Sequence, residues 1–224
     1  MSHKANSAFL ELMKVLFKPH PWHGVSIGSH VPDLVTCYIE IVPTDSVKYE
    51  IDKTTGYLMV DRPQRFSSQV PCLYGLIPQT FCGPRVAALT GRSGIEGDHD
   101  PLDVCVLTEK VIPHGDVLLE AVPIGGLRLL DGNEADDKIV AVLKDDAVFG
   151  SIKDISECTP ALVQRLAHYF LTYKQMPDAP AVCELIDTYG RSEAHRVILE
   201  SREDYDERFG GLSQMLDEVI AIRA

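Results

Sequence analysis

Residues Val35–Ile41, with the sequence VTCYIEI, alternate apolar and polar side chains. Positions 35, 37, 39 and 41 are apolar and share one face of a strand, because successive side chains of a strand point to opposite sides. Glu40 lies on the other face with Thr36 and Tyr38. The segment Val47–Ile51, VKYEI, repeats the pattern and places Lys48 and Glu50 together on its polar face. A turn over residues 52–56 leads to a third predicted strand, 57–61.

Further strands are predicted at residues 104–107, 117–124, 127–130 and 139–143. Short, closely spaced strands without helices between them favour an antiparallel barrel or a sandwich. Residues 78–97 form a long connection rich in Pro and Gly, and loops of this length are usually functional or mobile. The middle of the chain is therefore predicted to be mainly β.

Helices are predicted at both ends of the chain. Apolar residues at helical spacing indicate an amphipathic helix over residues 5–17. Thr159 is a good N-cap with Pro160 at the first helical position, and a stripe of Leu162, Leu166, Tyr169 and Tyr173 follows. Residues 192–208 and 212–222 have the pattern of two more helices. We expect one domain over 1–224, with a core at about 20–175 and helical extensions.

Composition excludes several classes of protein. The 224 residues are 45% hydrophobic, which suffices for a sizeable core. The net charge of −12 argues against binding to nucleic acid or to anionic membranes, both of which need basic surface. No apolar run reaches the roughly 20 residues of a membrane span.

The cysteines and the N-terminal sequence indicate where in the cell the protein is expected. The six cysteines are scattered without a C-x-x-C pair, and five have apolar or aromatic neighbours. Glu11 and Lys14 interrupt the apolar stretch 8–17, which spoils a signal-peptide core. These features predict buried, reduced thiols in a cytoplasmic protein.

Three carboxylates crowd into the stretch Asp98-His99-Asp100-Pro101-Leu102-Asp103. Acids so close repel one another unless a metal ion or a proton neutralises them. Sets made of carboxylates alone favour Mg²⁺, Mn²⁺ or Ca²⁺. A regular strand would separate Asp98 and Asp100 from Asp103, so we expect Pro101 to mark a break that lets the three converge. His99 is interpreted as an exposed spacer.

Six segments in a fixed order carry a family resemblance. They are Glu40 with Lys48-Tyr49-Glu50, Val60-Asp61-Arg62, Pro71-Cys72-Leu73-Tyr74-Gly75, residues 98–103, Asp131 with Asp136-Asp137-Lys138, and Tyr173-Lys174. Together they resemble the soluble, Mg²⁺-dependent inorganic pyrophosphatases of family I over residues 20–175. Residues 20–23 and 77–81 are similar to the longer, eukaryote-type branch. The motif Pro-Trp-His departs from that branch, since Gly24 follows it where Asp is usual.

The resemblance implies a fold, an activity and a site. The fold is mainly β with peripheral helices, an OB-like five-stranded antiparallel barrel with N-terminal and C-terminal helices and a site at its mouth. The activity is hydrolysis of pyrophosphate to two orthophosphates by metal-activated water, without a covalent intermediate. Several Mg²⁺ ions are implied per site, with Mn²⁺ or Zn²⁺ as substitutes. The protein would be a homo-oligomer, either a dimer or a hexamer.

The resemblance also implies a role for each site residue. Asp98, Asp103 and Asp136 would hold the activating metals and Asp131 a further one. Glu40 and Glu50 would act through metal-bound waters. Asp100 would accept a proton from the attacking water. Phosphate oxygens would be held by Lys48, Arg62, Tyr74, Lys138, Tyr173 and Lys174.

Three other readings fit the acidic segment less well. A calcium-binding EF-hand would use Asp98, Asp100 and Glu109, but Asp103 stands where that loop needs Gly. A nucleic-acid-binding OB domain would need a basic groove with stacking aromatics. A phosphatase with an aspartyl nucleophile would place Asp98 at the end of a buried strand, whereas residues 93–97 precede it here.

Overall fold

Ten strands and three α-helices follow one another in the computed structural model, which describes residues 19–176, 178 and 181–210. The strands are β1 Val35–Ile41, β2 Val47–Ile51, β3 Leu58–Pro63, β4 Leu73–Leu76, β5 Glu96–Gly97, β6 Asp103–Leu107, β7 Val117–Asp131, β8 Glu134–Ala135, β9 Lys138–Leu143 and β10 Cys183–Gly190. The helices are α1 Pro84–Ala88, α2 Pro160–Thr172 and α3 Arg191–Phe209, with a 3₁₀ turn at Ile155–Glu157. The predicted helices 5–17 and 212–222 lie outside the described residues.

Five strands close into a ring. Strand β1 pairs with β4, β4 with β6, β6 with β9, β9 with β7, and β7 again with β1. The five-stranded, OB-like barrel is thereby confirmed. One of its pairings differs from the expected antiparallel pattern, because β6 and β9 run parallel. The chain passes through β7 between them and reverses twice, so it enters β9 in the direction of β6.

Strand β7 joins two predicted strands into one. Residues 117–124 and 127–130 were predicted separately because Gly125 and Gly126 interrupt the pattern. The strand instead continues through a bulge opposite β9. These two glycines admit close neighbours: a Cβ at Gly126 would lie 2.4 Å from the ring and hydroxyl of Tyr189, and one at Gly125 would lie 2.5 Å from the Tyr189 carbonyl. Gly125 and Gly126 therefore allow close packing against Tyr189 and do not form a turn.

Strands β4 and β10 have no clear signal in the sequence. Every residue of β4 is buried, so the apolar–polar alternation that marks a half-exposed strand is missing. Gly75 lets β4 lie against β1, since a Cβ there would be 1.9 Å from the Tyr38 carbonyl oxygen. Strands β2 and β3 form a separate two-stranded sheet. The boundaries of β1 and β2 agree with the prediction.

Two apolar clusters hold the helices on the barrel. One joins alternate residues of β1, β6 and β9 to Ala194, Val197 and Ile198 of α3. The other joins the intervening residues of β6 and β9 to Leu166, Ala167 and Phe170 of α2. Ile41 also belongs to this second cluster, because a register shift between Ile39 and Ile41 removes it from the face that it is predicted to share with the other apolar residues of β1. Helix α2 begins at Pro160 as predicted, but the Thr159 side chain makes no capping hydrogen bond; its carbonyl receives the first helical N–H groups.

The connection 78–97 contains α1, and that helix is anchored on α3. The Asp204 carboxylate accepts hydrogen bonds from the backbone N–H groups of Gly83, Arg85 and Val86. This buried acceptor satisfies amides that the start of a helix otherwise leaves unpaired. A connection that the sequence marks as functional or mobile is therefore fixed to the body of the protein.

The cysteines are free thiols, five buried and Cys183 half-buried, which agrees with the predicted reduced state. Among the described residues, the helices are all too short or too polar to cross a membrane.

Candidate active site

The ends of four barrel strands meet at one edge of the sheet. Asp103 begins β6 and Lys138 begins β9, and the two residues are direct neighbours across this parallel pair. The last residue of β4, Leu76, lies opposite Asp103. Strand β7 passes Lys138 at Leu127 and ends at Asp131. Polar side chains from separate parts of the sequence therefore converge at this edge.

A cavity of about 220 Å³ occupies this position. Its wall contains twelve of the thirteen residues predicted from the sequence, namely Glu40, Lys48, Glu50, Tyr74, Asp98, Asp100, Asp103, Asp131, Asp136, Lys138, Tyr173 and Lys174. The barrel strands, the β2–β3 hairpin and the end of α2 each contribute. The convergence of these side chains is thus a property of the fold.

Arg62, the thirteenth residue, lies beside the cavity. It pairs with Lys48 across the hairpin, and its Nη1 donates to Asp61 at 2.6 Å. Its guanidinium carbon lies 5.7 Å from the centre of the Tyr173 ring. Its second terminal nitrogen, Nη2, is buried without a hydrogen-bond partner among the described residues. A buried donor of this kind is suited to an anionic acceptor.

Burial and mutual repulsion favour the protonated form of several acids. Burial, with Asp136 and Asp103 nearby, raises the pKa of Asp98 to about 8. Burial likewise raises the pKa of Glu40 to about 8, although Glu40 accepts a hydrogen bond from the Ile51 N–H at 2.7 Å. The pKa of Asp103 is also raised by burial, and Lys138 opposes that rise. A bound cation would reverse these shifts by stabilising the carboxylates.

Ammonium and hydroxyl groups are interleaved with the acids. Lys138 donates to both Asp103 and Asp136, and Tyr74 donates to the same Asp103 carboxylate at 2.6 Å. Lys48 donates to Glu50 at 2.6 Å and lies 3.0 Å from Asp61. Lys174, just after α2, donates to Asp131. The wall therefore presents donors for an anion beside acceptors for cations.

The turn that brings Asp98 and Asp100 into the cavity is made at His99. That residue is exposed, as expected of a spacer, and has a φ of 63°. Its N–H donates to the Cys82 carbonyl, and the Cys82 N–H donates to the Asp100 carbonyl at 2.8 Å. The break expected at Pro101 thus begins two residues earlier, at His99. The backbone of His99 is left-handed, and its N–H is bound to Cys82 in the segment before α1.

Among the described residues, two charged members of the cavity wall are not predicted from the sequence, Lys53 and Glu134. Lys53 lies in the turn between β2 and β3, and Glu134 in the short strand β8. A weak signal existed for both, since Lys53 follows Glu50 by three residues and Glu134 lies between Asp131 and Asp136. Nothing local in the sequence shows that these turns fold back over the cavity.

The donor set fits hard divalent cations. Carboxylate oxygens from Asp98, Asp103, Asp131 and Asp136 are the ligands that Mg²⁺ or Mn²⁺ prefers, and no thiolate lines the wall. Across the described ranges, no three acidic, imidazole or thiolate groups are spaced as ligands of one ion. Lys138 instead lies between Asp103 and Asp136, so a cation there requires this ammonium to turn away from at least one of them.

A barrel edge with this mixture of acids, ammonium groups and tyrosine hydroxyls is suited to binding small anions together with cations, as in hydrolases of phosphate compounds. A sequence model described as inorganic pyrophosphatase matches residues 37–206, well over half of the chain. The chain belongs to the inorganic pyrophosphatase family.

Relatives and solved structures agree with this membership. The inorganic pyrophosphatase of Chlamydia trachomatis serovar L2 is 53% identical over 195 residues, covering 83% of this chain and 93% of that protein. Soluble inorganic pyrophosphatase 2 of Chlamydomonas reinhardtii is 37% identical over 191 residues, covering 85% and 90%. The crystal structure of the Thermus thermophilus inorganic pyrophosphatase superposes with a TM-score of 0.69 at 26% identity, covering 81% and 97%.

Proposed function

We propose that this protein hydrolyses pyrophosphate to two orthophosphates in the cavity described above, with divalent cations and without a covalent intermediate. One observation carries the proposal. Twelve side chains that the family resemblance selects from widely separated segments lie around one cavity. Its volume, about 220 Å³, suits a small anion accompanied by cations rather than a large organic substrate.

The acids are the cation ligands in this proposal. Asp98, Asp103 and Asp136 hold activating Mg²⁺ ions and Asp131 holds a further one, while Glu40 and Glu50 act through water. Mn²⁺ or Zn²⁺ would serve as substitutes. Divalent ions neutralise phosphate oxygens and lower the pKa of a bound water toward neutrality. The raised pKa of Asp98 and of Asp103 supports this assignment, because burial and the neighbouring acid Asp136 disfavour the charged carboxylates, and a bound cation would offset both effects.

The cationic and phenolic groups hold phosphate oxygens. Lys48 of β2 and Lys174, just after α2, both line the cavity and are suited to bind phosphate oxygens there. Arg62 has a buried nitrogen without a hydrogen-bond partner in the part of the chain that the structure describes, and the guanidinium fork matches phosphate geometry. Tyr74, Tyr173 and Lys138 complete the set. These donors orient the substrate and stabilise the charge that develops on the leaving phosphate.

Asp100 is the proposed general base. It lies in the cavity wall, and its side chain is 37% exposed, so an attacking water can reach it. Its backbone is fixed by the hydrogen bond to the Cys82 N–H. A base must be held within hydrogen-bond reach of the proton that it removes, and this anchored turn supplies such a position.

Phosphate release from pyrophosphate tests the proposal. Purified protein with Mg²⁺ should release phosphate rapidly, and EDTA should abolish the release. Asp100→Asn and Asp103→Asn should each lower kcat by about 100-fold or more. Asp145→Asn is the matched control, because Asp145 is exposed and lies outside the cavity, at a φ of 62° that Asn tolerates.

Two results would contradict the proposed chemistry. Turnover that persists in excess EDTA would remove the role of the cations. A phosphorylated protein trapped by acid quench from labelled pyrophosphate would replace direct water attack with a covalent route.

We also propose that the protein is cytoplasmic and a homo-oligomer, either a dimer or a hexamer. Native mass measurement would test the oligomeric state.

A further inference from the structure

Lys53 lies at the tip of the β2–β3 hairpin, in a turn that is tightly held. The Asp52 carboxylate accepts hydrogen bonds from the N–H groups of Thr54 and Thr55, at 3.0 and 2.7 Å. The Gly56 N–H donates to the Asp52 carbonyl at 2.7 Å. Gly56 has a φ of 72° and lies against His20, where a Cβ would come within 2.8 Å of the imidazole. The backbone of Lys53 is therefore fixed although its side chain is exposed.

The ammonium of Lys53 contacts two acids of the cavity wall. It donates to the Asp100 carboxylate and lies 3.7 Å from a Glu50 oxygen. Glu50 belongs to β2 and Lys53 to the turn that follows it, whereas Asp100 belongs to the turn before β6 in the barrel sheet. This contact thus joins the two walls on the solvent side of the cavity.

Lys53 is the most accessible of the four lysines on the cavity wall. Side-chain exposure is 4% for Lys138, 18% for Lys48 and 30% for Lys174, against 42% for Lys53. Each of the other three also contacts at least one acid, namely Glu50 and Asp61 for Lys48, Asp103 and Asp136 for Lys138, and Asp131 for Lys174. Among the described lysines of the cavity wall, Lys53 is therefore the one most accessible to an anion from solvent.

We propose that Lys53 is a further substrate-binding residue, whose ammonium leaves Asp100 and binds the phosphate group of pyrophosphate that is nearer to solvent. The inference rests on the proposed function and adds to it. The Lys53 ammonium thereby exchanges a charge-assisted hydrogen bond to Asp100 for one to phosphate. The exchange frees the Asp100 carboxylate when substrate binds. The same ammonium would hold orthophosphate before it departs.

Lys53→Met tests this role against a control of equal charge change. Lys144 is the matched residue, because its side chain is 44% exposed and it donates to Glu120 at 2.7 Å, outside the cavity. At saturating Mg²⁺, Lys53→Met should raise KM about tenfold, which corresponds to one charge-assisted hydrogen bond. The value of kcat should fall less than KM rises. Lys144→Met should leave both constants unchanged, and Lys53→Arg should restore part of the affinity.

Binding of orthophosphate supplies a measurement that does not depend on turnover. Calorimetric titration with inorganic phosphate and Mg²⁺ should show weaker binding to Lys53→Met than to wild type, with Lys144→Met equal to wild type. An unchanged KM and phosphate affinity in Lys53→Met would overturn the inference. Losses of affinity in Lys144→Met equal to those in Lys53→Met would also overturn it. So would a KM for Lys53→Arg as high as that for Lys53→Met. A wild-type protein that fails to hydrolyse pyrophosphate would refute the proposed function, whereas the phosphate titration tests Lys53 separately.

Discussion

Asp103 and Lys138 lie directly opposite each other on the parallel strands β6 and β9, and the buried Lys138 ammonium donates to the Asp103 carboxylate. The same ammonium donates to Asp136. Two proposed cation ligands thus share one lysine. Because the chain reaches β9 only after the long β7 strand, this pairing exists only once the barrel has closed.

Replacing Lys138 separates its two proposed roles. Lys138→Met removes a competitor for Asp103 and Asp136, so we expect Mg²⁺ to bind at least as tightly as in wild type. It also removes a phosphate donor, and kcat should fall by about 100-fold. Calorimetric Mg²⁺ titration and steady-state kinetics measure the two effects. A large loss of Mg²⁺ affinity in a folded Lys138→Met protein would contradict this account.

The buried ion pair behind the cavity should stabilise the fold. Arg128 of β7 lies 3.3 Å from Asp137 and 3.0 Å from Glu193 of α3, and the Asp137 side chain is fully buried. Asp137→Ala leaves a buried guanidinium short of one partner and should lower the free energy of unfolding by about 3 kcal/mol.

Glu184→Ala is the control for that measurement. It breaks the exposed Arg92–Glu184 pair, with a closest contact of 2.7 Å, and should lower the free energy of unfolding much less than Asp137→Ala does, because solvent screens an exposed pair. Urea unfolding at one protein concentration compares the two variants. Equal losses of unfolding free energy in the two variants would show that burial of Arg128 and Asp137 does not increase the contribution of their ion pair to stability.

Asp204 should stabilise α1 and, through it, the turn that carries Asp100. Asp204→Ala leaves three backbone N–H groups without their acceptor and should cost about 1–3 kcal/mol of unfolding free energy. It should also lower kcat, because the segment from Cys82 to α1 holds the Asp100 turn. Asp204→Asn keeps one acceptor oxygen and should lie between wild type and Asp204→Ala. An unchanged kcat in Asp204→Ala would separate α1 from the active-site turn.

His23 should make stability fall in mild acid. Its burial, with His20 nearby, lowers its pKa from 6.5 to about 4, and its Nδ1 lies 2.9 Å from the Tyr205 hydroxyl. The unfolded chain takes up a proton near pH 6.5 and the folded protein only near pH 4. Unfolding is therefore favoured progressively as the pH falls through this window.

Two variants test the His23 prediction. In His23→Gln the free energy of unfolding should depend less on pH between 6.5 and 4. Tyr205→Phe removes the hydroxyl but keeps the ring, and it should lower stability at every pH while retaining the pH dependence. A wild-type slope that persists in His23→Gln would assign the effect to other groups.

Much of the fold could be predicted where the polarity of each residue matches its exposure to solvent. Strands β1 and β2 were predicted with their observed boundaries, because one face of each is apolar and the other polar. Helix α2 starts at its predicted residue, since Pro160 fits the first turn and not the interior of a helix. Strand β4 was missed because burial on both faces removes the alternation. The long strand β7 was divided because its glycines serve packing against β10.

The sequence by itself determined the local elements and which polar side chains are candidates for chemistry, since strand alternation and the order of the acidic segments depend on near neighbours along the chain. Only the tertiary structure decided that β6 and β9 run side by side, that burial raises the pKa of Asp98, and that Lys53 reaches Asp100 from another sheet. These properties depend on distance and solvent exclusion between segments far apart in the chain, which exist only after the barrel closes.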